Sequence, residues 1–181
     1  LEAIVEGMRR HAASAGVQQY GCFALSRICS VNDVAGCARK QAAVEAGALA
    51  LIISGMRNPS ASVQLNACRA LSVICFGSDA AGLARKRATA EAGALAAIAD
   101  GMRRHTSEVG VQEYGCGALG NICSSDDAAG LAQVAVEAGA LSAVVSGMRR
   151  HACCARVQEY GCSALGNICS GDDAAGLARR Q

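Results

Sequence analysis

The sequence predicts an all-α chain of stacked helical units, an α-solenoid, and three observations predict it. Gly-Met-Arg recurs with its glycine at Gly7, Gly55, Gly101 and Gly147, in steps of 48, 46 and 46 residues. A Val-Gln pair recurs at Val17, Val63, Val111 and Val157, in steps of 46, 48 and 46, and Glu-Ala-Gly-Ala-Leu begins at Glu45, Glu91 and Glu137. The third observation is compositional. One proline in 181 residues, with alanine and leucine abundant, fits stacked helices, whereas propeller blades need β-branched and aromatic runs broken by turns.

The elements of one unit follow from its punctuation. Asp126 and Asp127 supply N-cap chemistry for a first helix, AAGLAQVAVEA, which stops at Gly139, where a left-handed residue is expected. ALSAVVSGMRRH follows as the second helix, with Arg149, Arg150 and His151 at the end where positive charge suits the macrodipole. The third helix is VQEYGCSALGNIC. Its apolar residues Val157, Gly161, Cys162, Leu165, Ile168 and Cys169 form one helical stripe, and Tyr160, Ser163 and Asn167 form the opposite one. Units begin near residues 1, 33, 79 and 127, and a partial first helix is expected at 173–181.

Bulk properties narrow the function. An apolar content of 52% with 18% charged residues predicts one packed domain over residues 1–181. The net charge of +2 gives no strong pull toward nucleic acid or an anionic membrane. No stretch approaches the ~18 apolar residues of a membrane span, and LEAIVEGMRR lacks the order of a signal peptide. A cytoplasmic chain is expected, with a nuclear location as the alternative and no membrane partner. The absence of an initiator methionine is read as a sign of a fragment from a longer array.

Glu-Ala-Gly-Ala-Leu between helices, followed by Val-Gln-Glu-x-Gly-Cys-x-Ala-Leu-x-Asn-Ile, resembles the armadillo repeat with its first, second and third helices. The resemblance covers the whole chain and implies a right-handed solenoid of three-helix units. The register is unusual. Leu1 corresponds to Leu49, Leu95 and Leu141, so the chain starts in a second helix, and Gln181 corresponds to Gln41, inside a first helix. The units also run a few residues longer than is usual in the family.

The resemblance implies a use: third helices line a concave groove that holds an extended peptide. Helices pack about 8–10 Å apart, so four units make a surface roughly 40 Å long, enough for about a dozen residues at ~3.3 Å each. In the family's nuclear-import adaptors, a Trp and an Asn one turn apart on the third helix form the groove. Here the Asn is present only as Asn121 and Asn167, with Arg27 and Val73 in the other copies. The Trp positions hold Phe23, Arg69, Gly117 and Ser163, so the chain does not match a nuclear-import receptor. A column at Tyr20, Asn66, Tyr114 and Tyr160 stands there instead. Two roles stay open for it, gripping a peptide of variable sequence or covering a core built on thin, alanine-rich helices. Arg27 and Arg69 break the repeat on this face and favour an acidic or phosphorylated partner through the guanidinium fork.

Other chemistry has simpler explanations. Eight of the eleven cysteines fall in two columns, Cys22, Cys68, Cys116 and Cys162, then Cys29, Cys75, Cys123 and Cys169. The members of each pair lie two helical turns, ~10.5 Å, apart, too far for a disulfide or a shared metal, so core packing is expected. Cys37, Cys153 and Cys154 stand outside the columns, without a CxxC or zinc spacing. His11, His105 and His151 form one column at second-helix ends, and Asp33, Asp79, Asp127 and Asp173 form an N-cap column. Like residues repeated along a line do not build a catalytic site, so the chain is expected to be noncatalytic, with no metal and no cofactor.

Two functions are weighed. One is a protein-interaction scaffold whose groove residues are Tyr20, Phe23, Arg27, Asn66, Arg69, Tyr114, Asn121, Tyr160, Ser163 and Asn167. The alternative is nucleic-acid or polyanion binding along the edge of Arg9, Arg10, Arg57, Arg103, Arg104, Arg149 and Arg150, disfavoured because stacking aromatics are few. The ends complement each other, a second helix without its first and a first without its second, so head-to-tail self-association is also expected.

Overall fold

The computed structural model describes residues 1–124 and 128–170. Within them the chain forms helices and no strand, in a repeating order of first, second and third helix. First helices are α3 (Val34–Glu45), α6 (Ala80–Glu91) and α9 (Ala128–Glu137). Second helices are α1 (Glu2–Arg10), α4 (Ala48–Gly55), α7 (Ala94–Arg104) and α10 (Ala140–Arg150). Third helices are α2 (Ala15–Ile28), α5 (Ala61–Ile74), α8 (Val109–Cys123) and α11 (Ala155–Ile168). The expected cap at Asp126 and Asp127, its counterpart Asp173 and the partial helix at 173–181 lie outside the described residues.

The punctuation acts as its chemistry requires. Asp33 and Asp79 cap α3 and α6, each accepting a backbone N–H three residues on, from Gly36 at 2.6 Å and Gly82 at 2.9 Å. First helices end at Gly47, Gly93 and Gly139, with φ of 85°, 86° and 75°, a left-handed conformation that a Cβ would strain. The next second helix starts at once from each of these glycines. α4 is the short one. Its sequence runs Met56-Arg57-Asn58-Pro59 where the other three read Met-Arg-Arg-His, and its helix ends at Gly55.

Third helices pack side by side, and the core runs beneath them. Leu25, Leu71, Leu119, Ile74, Ile122 and Ile168 are fully buried, as are Met8 and, to within 1%, Met102 from second helices. Burying one such side chain stabilises by about 1.5–3 kcal/mol. Close approach depends on small residues. A Cβ on Gly115 would lie 2.7 Å from the Met102 side chain, so the methionine of the recurring motif fills the notch left by the third-helix glycine.

The Val-Gln pair turns out to be a lock between helices. Gln18 donates through its amide to the carbonyls of Met8 at 2.9 Å and His11 at 3.1 Å. Gln112 does the same to Met102 and His105, both at 3.0 Å, and Gln158 to Met148 at 2.9 Å and His151 at 3.1 Å. These are carbonyls at the C-terminal ends of second helices, which have no partner within the helix. The same side chains cross to the next unit. A Cβ built on Gly55 would sit 3.4 Å from Gln18, on Gly101 1.8 Å from Gln64 and on Gly147 2.5 Å from Gln112, whereas nothing lies within 4 Å of Gly7. Gln64 is the exception in its bonding: with α4 cut short, its amide turns to Ala97 O of the following unit at 3.4 Å.

A second set of links ties the third-helix ends together. Arg39 Nε donates to Ile28 O at 2.8 Å, and Arg85 Nε to Ile74 O at 3.1 Å. The adjacent lysines reach the next third helix: Lys40 Nζ to Phe76 O at 3.3 Å, and Lys86 to Ser124 O and its hydroxyl. Each Arg-Lys pair thus places two cations at the negative ends of successive helix dipoles. α9 has no such pair, being two residues shorter than α3 and α6.

The cysteine columns are core residues with a correction at one end. Cys22, Cys29, Cys68, Cys75, Cys116 and Cys123 are buried, but Cys162 is exposed and Cys169 half-buried. The periodicity points them to the same stripe as their counterparts, but only part of that stripe on α11, at Val157, Gly161 and Ile168, is covered by described residues. Burial pushes the thiols of Cys22, Cys68, Cys116 and Cys123 up to about 12. Alkylation at pH 8 should therefore label Cys153 and Cys162 first and these four last, as read by peptide mass mapping; fast labelling of Cys68 would contradict the packing described. Gly101→Ala should destabilise by roughly 1–3 kcal/mol through overpacking against Gln64. Gly7→Ala, facing open space, should be neutral or stabilise by about 0.5–1 kcal/mol, and denaturant melts of the two variants give the comparison.

Candidate functional site

The third helices turn their second stripe to a shared face. Tyr20 is 69% exposed and Phe23 41%, and Arg27 and Ser163 are exposed. Arg69, Tyr114, Asn121, Tyr160 and Asn167 are half-buried. Asn66 is buried at 8% exposure, and its amide donates to Ser62 O of its own helix at 2.8 Å. The tyrosine column thus divides. Tyr20 stands mostly in solvent at the rim of a hollow shared with Ile4, Met8 and Val17, Tyr114 and Tyr160 pack partly against the core, and Asn66 is turned inward.

Across three successive third helices, one stack forms. The Arg69 guanidinium lies 5.5 Å from the Phe23 ring centroid and 5.4 Å from that of Tyr114. Each such contact contributes about 0.5–1 kcal/mol at a partly exposed site. The two rings flank the guanidinium from the neighbouring helices. Among the described residues neither Arg27 nor Arg69 has a carboxylate partner, so both charges remain uncompensated. Beyond Tyr114 the Tyr160 ring lies beside Gly117, 3.9 Å from where a Cβ would stand, an ordinary contact distance.

The two asparagines hold the helices as well as the groove surface. Asn121 donates to Ser72 O at 2.9 Å and Ser72 Oγ at 3.1 Å, and Asn167 donates to Gly120 O at 2.9 Å. Each therefore ties its helix to the preceding third helix. A hollow of about 250 Å³ opens next to Asn121, lined also by Ser30, Asn32, Ser72, Phe76 and Tyr160. A larger hollow, about 780 Å³, lies elsewhere, between α1 and the end of α3, on the side of α1 where the other second helices have a first helix.

The remaining candidates fall into structural roles. His151 Nε2 meets Thr106 O at 2.7 Å, and burial holds the His105 imidazole below its usual pKa. Among the described residues, no three His, Cys, Asp or Glu side chains gather as a metal-binding set. The basic edge is partly neutralised: Glu6 takes Arg9 at 2.6 Å and Arg10 at 2.7 Å, and Arg103 pairs with Asp100. No single described helix is long and apolar enough to cross a membrane. Sequence reasoning missed the glutamine column and the Arg-Lys pairs. The copied Val-Gln was signal enough for the first, and the buried lysines carried no repeat signal in the fourth unit, whose first helix lacks them.

Comparison with known proteins bears on the whole array. Residues 37–76 match the family model of the armadillo/beta-catenin-like repeat. No curated protein matches the chain significantly. A crystal structure of an engineered protein from the Northeast Structural Genomics Consortium is 26% identical with a TM-score of 0.81; the match covers 98% of this chain and 66% of that one, just under two thirds. A designed armadillo repeat protein in complex with the peptide (KR)4 is 24% identical with a TM-score of 0.79, covering 99% of this chain and 68% of that one. Computationally designed armadillo repeat proteins for modular peptide recognition give 23%, 0.79, 99% and 68%. One stretch of the chain matches the repeat model and its helices superpose on these structures nearly from end to end, so the chain has the fold of an armadillo-repeat solenoid.

Proposed function

We propose that the chain is a noncatalytic scaffold that binds an extended acidic or phosphorylated peptide along its third helices. The observation that carries this is the Phe23–Arg69–Tyr114 stack, with unpaired Arg27 on the helix that also bears Phe23. A guanidinium flanked by two rings loses less freedom on pairing with a carboxylate or phosphate, so less affinity is lost to ordering. The similar fold seen with the basic peptide (KR)4 supports a peptide as ligand. The charge preference here is reversed, because the groove itself carries the cations. A cytoplasmic or nuclear setting is proposed with it, since no disulfide joins cysteines among the described residues and such compartments keep thiols reduced.

Head-to-tail association is proposed as a second property. Gly7 presents an open socket where Gly55, Gly101 and Gly147 each receive a glutamine, and Gln158 is the glutamine that no described glycine receives.

A peptide alternating Glu and Ala over a dozen residues should bind at least tenfold more tightly than its Gln counterpart, measured by fluorescence anisotropy at low salt. Arg27→Ala should reduce that preference with stability within about 0.5 kcal/mol of the parent, as expected for an exposed residue without partners. Arg69→Ala should reduce it further and lose roughly 1–2 kcal/mol with its two ring contacts. Equal affinity for the Glu and Gln peptides would sink the charge assignment. For association, sedimentation velocity should show concentration-dependent oligomers that Gly7→Arg abolishes, and unchanged oligomers in that variant would reject the socket.

A further inference from the structure

The hollow beside Asn121 has a property that the stack does not share: a buried cation stands behind its wall. Lys40 is 1% exposed, and its ammonium is held by Asn32 Oδ1 at 2.6 Å and Phe76 O at 3.3 Å, with the Phe76 ring 5.4 Å away. Both partners line the hollow, and neither carries a charge. The carboxylates at this edge are otherwise engaged. Asp33 stands 3.9 Å from Arg39 and caps α3, and Asp79 stands 4.0 Å from Arg85 and caps α6. The direct partners of the ammonium are thus neutral dipoles, with Asp79 acting on it only from a distance, and a buried cation so placed favours an anion nearby.

The hydrogen bonds that line the hollow also fix its polarity. Because Asn32 presents its oxygen to Lys40, its NH2 edge turns away from the ammonium as a donor. Ser72 Oγ accepts from Asn121 at 3.1 Å, which leaves the hydroxyl proton free to donate. Tyr160 lines the hollow as well, and its hydroxyl makes no hydrogen bond among the described residues, so it is available as a third donor. No acidic side chain is among the lining residues. Three neutral donors backed by one buried charge suit a singly charged carboxylate. A dianionic phosphate is better matched by guanidinium forks, of which the hollow has none.

We infer that this hollow is a subsite for the carboxylate of a Glu or Asp side chain of the bound peptide, received by Asn32, Ser72 and Tyr160 and backed by Lys40. The inference rests on the groove reading, and places a second acidic position roughly one helical turn along α5 from Arg69, which precedes Ser72 by three residues.

The test is an NMR titration of the ¹⁵N-labelled chain with the blocked pentapeptides Ala-Ala-Glu-Ala-Ala, Ala-Ala-Gln-Ala-Ala and Ala-Ala-phosphoserine-Ala-Ala. The Glu peptide should bind at least tenfold more tightly than the Gln peptide and more tightly than the phosphoserine peptide, shifting the side-chain amide signals of Asn32 and Asn121. Asn32→Asp should abolish this preference without lowering Tm, because it gives Lys40 a charged partner while removing the donor and adding a like charge. A Glu preference that survives in Asn32→Asp, or tighter binding of the phosphoserine peptide, would overturn the subsite. If all three peptides shift Arg69 and Tyr114 signals with equal affinity, the subsite fails while the groove reading stands. If none shifts any third-helix signal, both fall.

Discussion

A helix end leaves four carbonyls without partners, and in a solenoid of short helices these ends occur every dozen residues or so. The glutamine of the Val-Gln pair meets two of them at once in three of the four units. Each bond has a net worth of about 0.5–1.5 kcal/mol, but leaving a buried carbonyl unpaired costs more. The same side chain then rests on the glycine of the next unit's second helix. Capping within a unit and spacing between units are therefore one constraint, and both motifs follow from it. The glutamine must be long enough to reach across the loop, and the facing residue must have no Cβ. The second unit shows what happens when one half changes. With α4 ended early by the Asn58-Pro59 segment, Gln64 keeps its seat over Gly101 but turns its amide to Ala97 O, and its own oxygen is left buried without a partner.

Stacked third helices raise a second difficulty. They run in the same direction, so the negative ends of their dipoles lie side by side along one edge. Arg39 with Lys40, and Arg85 with Lys86, bond to the last carbonyls of consecutive helices and neutralise those ends. Burial opposes the charge of Lys40 and lowers its pKa, yet the carbonyl, the Asn32 oxygen and the Phe76 ring keep the ammonium solvated by protein. The basic edge at the second-helix ends is a different matter. There the arginines face solvent and salt-bridge to Glu6 and Asp100, interactions worth little each.

The fold was legible because the repeats state each helix boundary more than once. Gly47, Gly93 and Gly139 mark three copies of one break, and Asp33 and Asp79 two copies of one cap, so composition at a single site never had to decide. Periodicity also assigned the cysteine columns to the core face, but periodicity gives direction and not coverage, which is why Cys162 differs from Cys116. The candidate groove was legible as a surface and not as a set of contacts. Asn121 and Asn167 could face a ligand or a neighbour from the same helical position, and the amide direction is decided by carbonyls 49 and 47 residues away in sequence. Arg69 reads as a lone charge until the two rings that enclose it arrive from the units on either side.

Copied and uncopied residues divide along physical lines. An interface between identical units has to be met by the same residues each time, so the glutamine, the motif glycine and methionine, and the buried leucines recur. The exposed face of the third helices has no such obligation. Phe23, Arg69, Gly117 and Ser163 occupy one position in four units and share no chemistry, yet the first two act together by stacking. Packing alone would be satisfied by alanine at any of these places. A cation enclosed by rings contributed from both neighbours requires the three helices to be held in fixed register, and the glutamine lock supplies that register from the opposite side of the array. The rigid interior is thus what allows an irregular groove to hold its charges in a defined line.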